Sequence, residues 1–279
     1  ARLPALLARA EHLAGAVLLG AHGRRRAGVG DDFWQYRPAQ VGDSRRSIDH
    51  RRSAMGDHEF VREREWQIAQ SVMLWVDQGA SMRFASTAAL DQKADRARLL
   101  GLALAVLLQR GGERVGLTGS ALPPRSGRPQ ILRLAEALCQ DDAADYAPPE
   151  HRAMIPQARA VFISDFMGDL AGVATALTKA ADRGVRGVLL HVLDPSEEAF
   201  PFTGRTIFES VGGTLRHETL KANDLKHRYL ERLAERKAEL QQLCALTGWQ
   251  YGLHHTDSTA QSALLWLYGA LDTRSGGAA

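Results

Sequence analysis

The sequence predicts an α/β fold: a doubly wound, mainly parallel sheet with helices on both faces, preceded by an N-terminal extension of irregular and β structure. Two observations carry this reading. Residues 72–76, 160–164 and 185–193 are short, almost wholly apolar runs, the pattern of strands buried on both faces rather than one. These runs alternate with longer stretches of helical period, which is the signature of strand–helix–strand units.

The elements follow in order. Residues 1–20 space Leu3, Leu6, Leu7, Leu13, Val17 and Leu18 as on one side of an amphipathic helix. Residues 24–64 have little helical period. They interleave arginines with carboxylates and insert Phe33, Trp34 and Tyr36, so we expect extended segments and turns, with 58–65 as a strand. A strand over 72–76 comes next, then a helix over 90–110 stopped by Gly111 and Gly112, and a strand over 114–118. A loop at 123–128 leads to a helix at 130–140, and an acidic surface loop fills 141–149. Then come a strand at 160–164, a helix at 170–182, a strand at 185–193 and a small hairpin at 206–215. A long helix over 225–246, stopped by Gly248, a strand over 249–254 and a helix over 262–271 complete the pattern. The expected organisation is an extension at 1–66, a sheet domain at 67–273 and a flexible tail at 274–279.

Composition narrows the class. Apolar residues are 45% and charged residues 24%, values of an ordinary globular chain and not of a disordered or rod-like one. The longest apolar run, 99–108, spans roughly 15 Å as a helix, about half a bilayer core, so no membrane span is expected. No signal peptide is recognisable; the chain starts at Ala1 rather than Met, which is compatible with a segment removed ahead of it. With 35 basic and 32 acidic residues the net charge is +3, too weak a field to argue for nucleic acid. Cys139 and Cys244 lie far apart in helical patterns and read as reduced, buried small residues of a cytoplasmic protein.

The candidate chemistry sits at strand ends. Three predicted strands are followed by Asp77, Asp165 and Asp194. Open α/β sheets bind ligands at the carboxyl ends of their strands, so these carboxylates converge if the strands are neighbours. Asp77, Ser81 and Asp165 are hard oxygen donors that suit Mg²⁺ or another divalent cation. From spacing alone a structural role is favoured, because motifs this short are weak: Asp77 capping its loop, Asp165 capping the next helix, Ser81 incidental. The arginine-rich block has two readings as well. It is either a surface for acidic or phosphate groups, or an internal network in which Trp34, Arg37, Asp43, Arg46, Asp49 and Arg52 fix the extension. The interleaved carboxylates favour the network, with Arg24, Arg25 and Arg26 facing solvent. His254, His255 and Asp257 read as a solvated loop. There is no Walker A sequence and no nucleophile elbow.

These residues resemble a known family. Asp77-x-Gly79-x-Ser81 is similar to the D-x-S-x-S signature of von Willebrand factor A domains, and the 161–165 segment to the later strand that supplies their second aspartate. The block 30–38, with Gly42-Asp43, Arg45-Arg46, Ile48-Asp49, 51–54 and 61–63, resembles the defining block of the bacterial family called domain of unknown function 58. Residues 191–202, Gly204-Arg205 and 254–257 also fit, so the likeness covers nearly the whole chain. Three departures stand out: Gly79 replaces the first serine, His50 replaces a usual tryptophan, and the loop at 124–128 offers only Ser126 where a ligand threonine is usual.

The resemblance implies a von Willebrand factor A-like domain with a degenerate metal-ion-dependent adhesion site. It implies a non-enzymatic adaptor that works with a MoxR-type AAA+ ATPase in chaperone-like maturation of a client, with Mg²⁺ or another divalent cation at Asp77, Ser81 and Asp165. Two other classes stay open. One is a metal-dependent phosphoesterase using Asp77 and Asp165. The other is a nucleic-acid module using the arginines, which predicts steep salt dependence.

Overall fold

The structure is a computed structural model. It describes residues 2–21, 33–39, 48–54, 60–64, 69–142, 144–152, 154–209, 211, 213, 216–219 and 221–272. The chain divides into two compact units, 1–21 with 70–279, and 22–69.

In the smaller unit, strand β1 (Phe33–Pro38) runs antiparallel to β2 (Phe60–Arg64), with an irregularity between Phe33 and Gln35. A single helical turn, α2 (His50–Ser53), lies between them in sequence. Asp49 holds that turn: its Oδ1 accepts the Arg51 N–H at 3.1 Å, and its carbonyl accepts the Ser53 hydroxyl at 2.8 Å. Of the expected network, Asp43 and Arg46 lie outside the described residues, as do the side chains of Trp34, Arg37 and Arg52.

The larger unit is built on five parallel strands: β3 (Ser71–Val76), β4 (Arg114–Leu117), β5 (Arg159–Ser164), β6 (Arg186–Leu193) and β9 (Gln250–His255). Their order is β4-β3-β5-β6-β9. The first strand of the sheet thus lies inside it, with the next strand on one side and all later ones on the other. Chain direction across the sheet reverses between β3 and β5, and such a switch point opens a crevice beyond the strand ends. A separate antiparallel hairpin pairs β7 (Thr206–Glu209) with β8 (Arg216–Thr219).

Alternate strand residues feed two cores. On one face Val72, Leu74, Val76, Val161, Ile163, Val188 and Leu190 pack with α1 (Arg2–Ala21), α3 (Lys93–Arg110), α4 (Arg128–Leu138) and α8 (Ala260–Asp272). On the other, Met73, Trp75, Phe162 and Leu189 pack with α5 (Leu170–Asp182) and α7 (Ala222–Thr247). Among the described residues, no helix is long and apolar enough to cross a membrane.

The apolar run at 99–108 finds its explanation here. An evenly apolar helix must be covered on more than one side. Nearly all of α3 is buried, because the sheet covers one side and α1 and α8 the others. Gly101 permits the close approach: a Cβ there would lie 2.8 Å from Val76 Cγ2. Helix α1 therefore belongs with the sheet unit, through Leu6, Ala10, Ala14 and Val17. This differs from an extension spanning 1–66. The amphipathic stripe of α1 shows that something covers it, but not that the cover lies beyond residue 90.

Candidate functional site

Strands β3, β5 and β6 are neighbours, so Asp77, Asp165 and Asp194 all stand at one end of the central sheet. Each is buried, at 2%, 1% and 0% exposure. Parallel strands alone do not explain the burial. The loop after α4 crosses over them: Ala80 N–H donates to Ala144 O at 2.8 Å, and Ser81 N–H to Asp145 O at 2.9 Å. This loop is read from sequence as acidic and superficial, and residues 141, 142, 144, 146 and 148 are exposed; its main chain also roofs the strand ends.

The same loop accounts for Gly79. A Cβ at that position would lie 2.9 Å from Asp145 O and 3.0 Å from Asp77 Oδ1. The hydroxyl that the signature places there has no room. Ser126 does not stand in for the usual loop threonine either, because its neighbour Arg125 bridges to Val115 near the start of β4, away from the strand ends.

Asp77 accepts the Gly79 N–H at 2.8 Å on Oδ1 and the Ser164 hydroxyl at 2.6 Å on Oδ2. Ser164 Oγ in turn accepts the Phe166 N–H at 2.9 Å. Among the described residues no cation touches this carboxylate, and burial, reinforced by nearby Asp165, pushes its pKa up to about 6. Asp77 thus caps its loop through Gly79.

Asp165 does not cap the next helix; Asp169 does so by accepting the Ala171 N–H. Asp165 instead meets a lysine. Lys93 Nζ, from the first residue of α3, lies 2.8 Å from Asp165 Oδ2 and 2.6 Å from Glu197 Oε1. The lysine is 1% exposed, and its ammonium stands 5.7 Å from the Phe84 ring centroid. Burial works against charge on both Asp165 and Lys93, but their mutual attraction wins, lowering the first pKa and raising the second. Asp165 also takes the Met167 N–H at 3.1 Å. The Ser81 hydroxyl helps hold Asp165 low without completing a well-formed hydrogen bond. Burial raises the pKa of Glu197 despite Lys93.

Glu197 belongs to a reciprocal cap. Asp194 accepts the Ser196 N–H at 2.8 Å and Glu197 Oε2 accepts the Asp194 N–H at 2.8 Å, at the start of α6 (Pro195–Ala199). Asp194 also accepts the Ser86 N–H at 2.9 Å, which ties the stretch after Asp77 to the end of β6.

Asp77, Ser81 and Asp165 are therefore brought together, and with them Lys93, Ser164 and Glu197, which sequence reasoning did not single out. A divalent cation does not fit this set as it stands. The charged ammonium of Lys93 already stands against Asp165, in the place a cation would take. Among the described residues no group of three or more His, Cys, Asp or Glu is arranged to hold a metal.

Beside Asp77 a cavity of about 340 Å³ opens at the switch point. Asp77 and Ser164 line it, together with the rings of Tyr146, Pro148 and Phe166 and the Val173 side chain. Asp169 stands among the lining residues, and Arg236 Nη1 donates to Gly168 O at 2.6 Å from the α7 side.

His254 and His255 are not a solvated loop; they end β9. His254 is buried, with Nε2 3.0 Å from Arg96 Nη1, and burial and that guanidinium lower its pKa to about 4. Arg96 also donates to Ser258 O and Thr256 O, so it fixes the turn into α8. His255 pairs with Glu198. His191, fully buried against Phe166 and 2.9 Å from the Tyr251 hydroxyl, is lowered to about 4 by burial. Cys244 is buried and Cys139 partly so, both as free thiols.

Nothing among curated proteins matches the chain. Two solved structures are similar. One is an aerotolerance-related membrane protein from Bacteroides fragilis NCTC 9343 carrying multiple mutations to serine, with TM-score 0.43 and 15% identity over 74% of this chain and 100% of that one. The other is the conserved hypothetical protein BatB from Bacteroides thetaiotaomicron, with TM-score 0.40 and 15% identity over 72% and 98%. The model of the family described as protein of unknown function DUF58 matches residues 35–239, most of the chain, including the strand-end aspartates and Lys93. The protein belongs to the DUF58 family.

Proposed function

We propose that this protein is a non-enzymatic interaction protein that grips a partner at the cavity beside Asp77. The observation that supports this best is how the ionisable groups are used. Lys93, Asp165, Glu197 and Asp194 spend their hydrogen bonds on one another and on loop amides. What faces the cavity is a mainly apolar recess whose lining also carries the carboxylates of Asp77 and Asp169 and the Ser164 hydroxyl. Such a recess suits the binding of a side chain more than the activation of water. The resemblance to von Willebrand factor A domains and to companions of MoxR-type AAA+ ATPases supplies the partner: that ATPase, with a client protein.

The test is a pull-down of a MoxR-type ATPase encoded in the same genome. Tyr146→Ala removes a lining ring, and Asp77→Asn removes a lining carboxylate. The combined variant, checked for a cooperative melt, is expected to lose at least tenfold in retained ATPase. Unchanged retention overturns the reading. Hydrolysis of a nitrophenyl phosphate above a metal-free control, lost with Asp77→Asn, overturns its non-enzymatic part.

A further inference from the structure

The strand-end site already contains a cation, and that cation is part of the chain. Lys93 Nζ lies within hydrogen-bond distance of Asp165 and Glu197, and the Lys93 and Asp165 side chains are 2% and 1% exposed. Three separate segments meet at this nitrogen: the start of α3, the end of β5 and the first turn of α6.

A divalent cation at the same place faces three obstacles. Mg²⁺ requires about six oxygens near 2.1 Å in octahedral array and gives up water reluctantly. The hydroxyl at position 79 is absent and excluded by Asp145 O, which leaves Ser81 Oγ, an oxygen without a hydrogen bond, as the hydroxyl ligand among the described residues of the signature. The Asp165 oxygens are held by Lys93 and by the Met167 N–H. Finally, an ion beside the ammonium is repelled in a medium that screens poorly, while an ion that displaces the ammonium strands a buried charge.

We propose that Lys93 is a tethered, permanent replacement for the divalent cation, with Asp165 and Glu197 as its carboxylate ligands. Loss of the hydroxyl at position 79 and presence of the lysine are then two sides of one change: the ligand and the ion it would have served are both gone. The site is loaded as soon as the chain folds. Its shape and charge do not respond to divalent ion concentration or to chelators. The inference concerns the site named in the proposed function. It is tested without any partner, so failure of either reading leaves the other to be judged on its own.

The experiment is a titration of the full chain with MnCl₂, followed by calorimetry and by thermal melting with and without EDTA. The wild type is expected to show no saturable heat and no shift in Tm. Lys93→Ala vacates the position. In EDTA its Tm is expected to fall by about 10 °C, as for a broken buried ion pair in a chain of this size. Mn²⁺ is expected to restore part of that loss and to give a saturable signal, which a second substitution, Asp165→Asn, abolishes. Lys93→Met, which keeps the length of the stem, serves if the alanine variant does not fold. Saturable Mn²⁺ binding by the wild type that is lost in Asp77→Asn overturns the proposal. A folded Lys93→Ala or Lys93→Met variant that ignores Mn²⁺ overturns it too. If neither variant folds, the wild-type titration decides alone.

Discussion

Asp77→Asn is expected to stabilise the protein above neutral pH and to lose that advantage in acid. Asp77 carries a carboxyl that is 2% exposed and touches no cation among the described residues, and its pKa is raised from 3.8 to about 6. A raised acid pKa means that the folded state holds the proton more tightly than the unfolded chain. Stability therefore falls as pH rises between 3.8 and about 6, and the full cost applies above that window. A rise of that size corresponds to about 3 kcal/mol. Asparagine keeps an oxygen for the Gly79 N–H. Its amide can meet Ser164 Oγ, but the serine hydroxyl then loses its acceptor, at about 1 kcal/mol. The net expectation is a gain of about 2 kcal/mol near pH 8 and none near pH 4.5. Urea unfolding of both proteins at the two pH values measures this directly. An equal difference at both values, of either sign, refutes the claim that burial strains this carboxylate.

Other residues give sharper signs. Gly79→Ser restores the family hydroxyl but drives a Cβ to 2.9 Å from Asp145 O, so it should lower the melting temperature and create no Mg²⁺ response. His191 and His254 stay neutral in the fold with pKa values near 4, against 6.5 in the unfolded chain. Their contribution is complete above pH 6.5 and lost toward pH 4; it opposes the effect of Asp77 and outnumbers it, so urea midpoints should fall across that window, more steeply in Asp77→Asn. Phe162→Ala removes a fully buried ring that packs against Trp75 and Trp249 and should cost about 3–5 kcal/mol, read from chemical denaturation.

Much of the sheet was legible because each central strand is a complete local signal. Residues 72–76 and 160–164 are apolar on both faces, and strands buried by helices on both sides require that. The order of strands was not legible, since nothing in β4 says that it pairs outside β3 while β5 pairs on the other side. Convergence of Asp77, Asp165 and Asp194 depended wholly on that order. The histidines after residue 253 looked solvated because nothing in sequence places Arg96, on a helix far upstream, against His254.

Lys93 is the more instructive omission, because its signal was present. A search for metal ligands looks for oxygens, and a lysine is passed over. Yet α3 begins with Lys93 and carries Arg96 and Arg98 within its first two turns. The amino end of a helix bears partial positive charge and disfavours basic side chains by a few tenths of a kcal/mol each. Lys93 and Arg96 in the first turn, with Arg98 just beyond it, go against that local rule, and a local rule is broken where a distant partner repays it. Here all three are repaid by groups invisible at that range: Lys93 by Asp165 and Glu197, Arg96 by His254 and two carbonyls of the turn into α8, Arg98 by Asp141. The cations at the head of α3 thus do for this sheet end what a bound ion does elsewhere. They tie the loops after three parallel strands, and the loop after α4, to one helix terminus. That terminus is rigid because the rest of α3 is buried between the sheet and α1. The covering helix read as an appendage is therefore part of what holds the site in place, and truncating residues 1–21 should loosen the strand ends as well as the core.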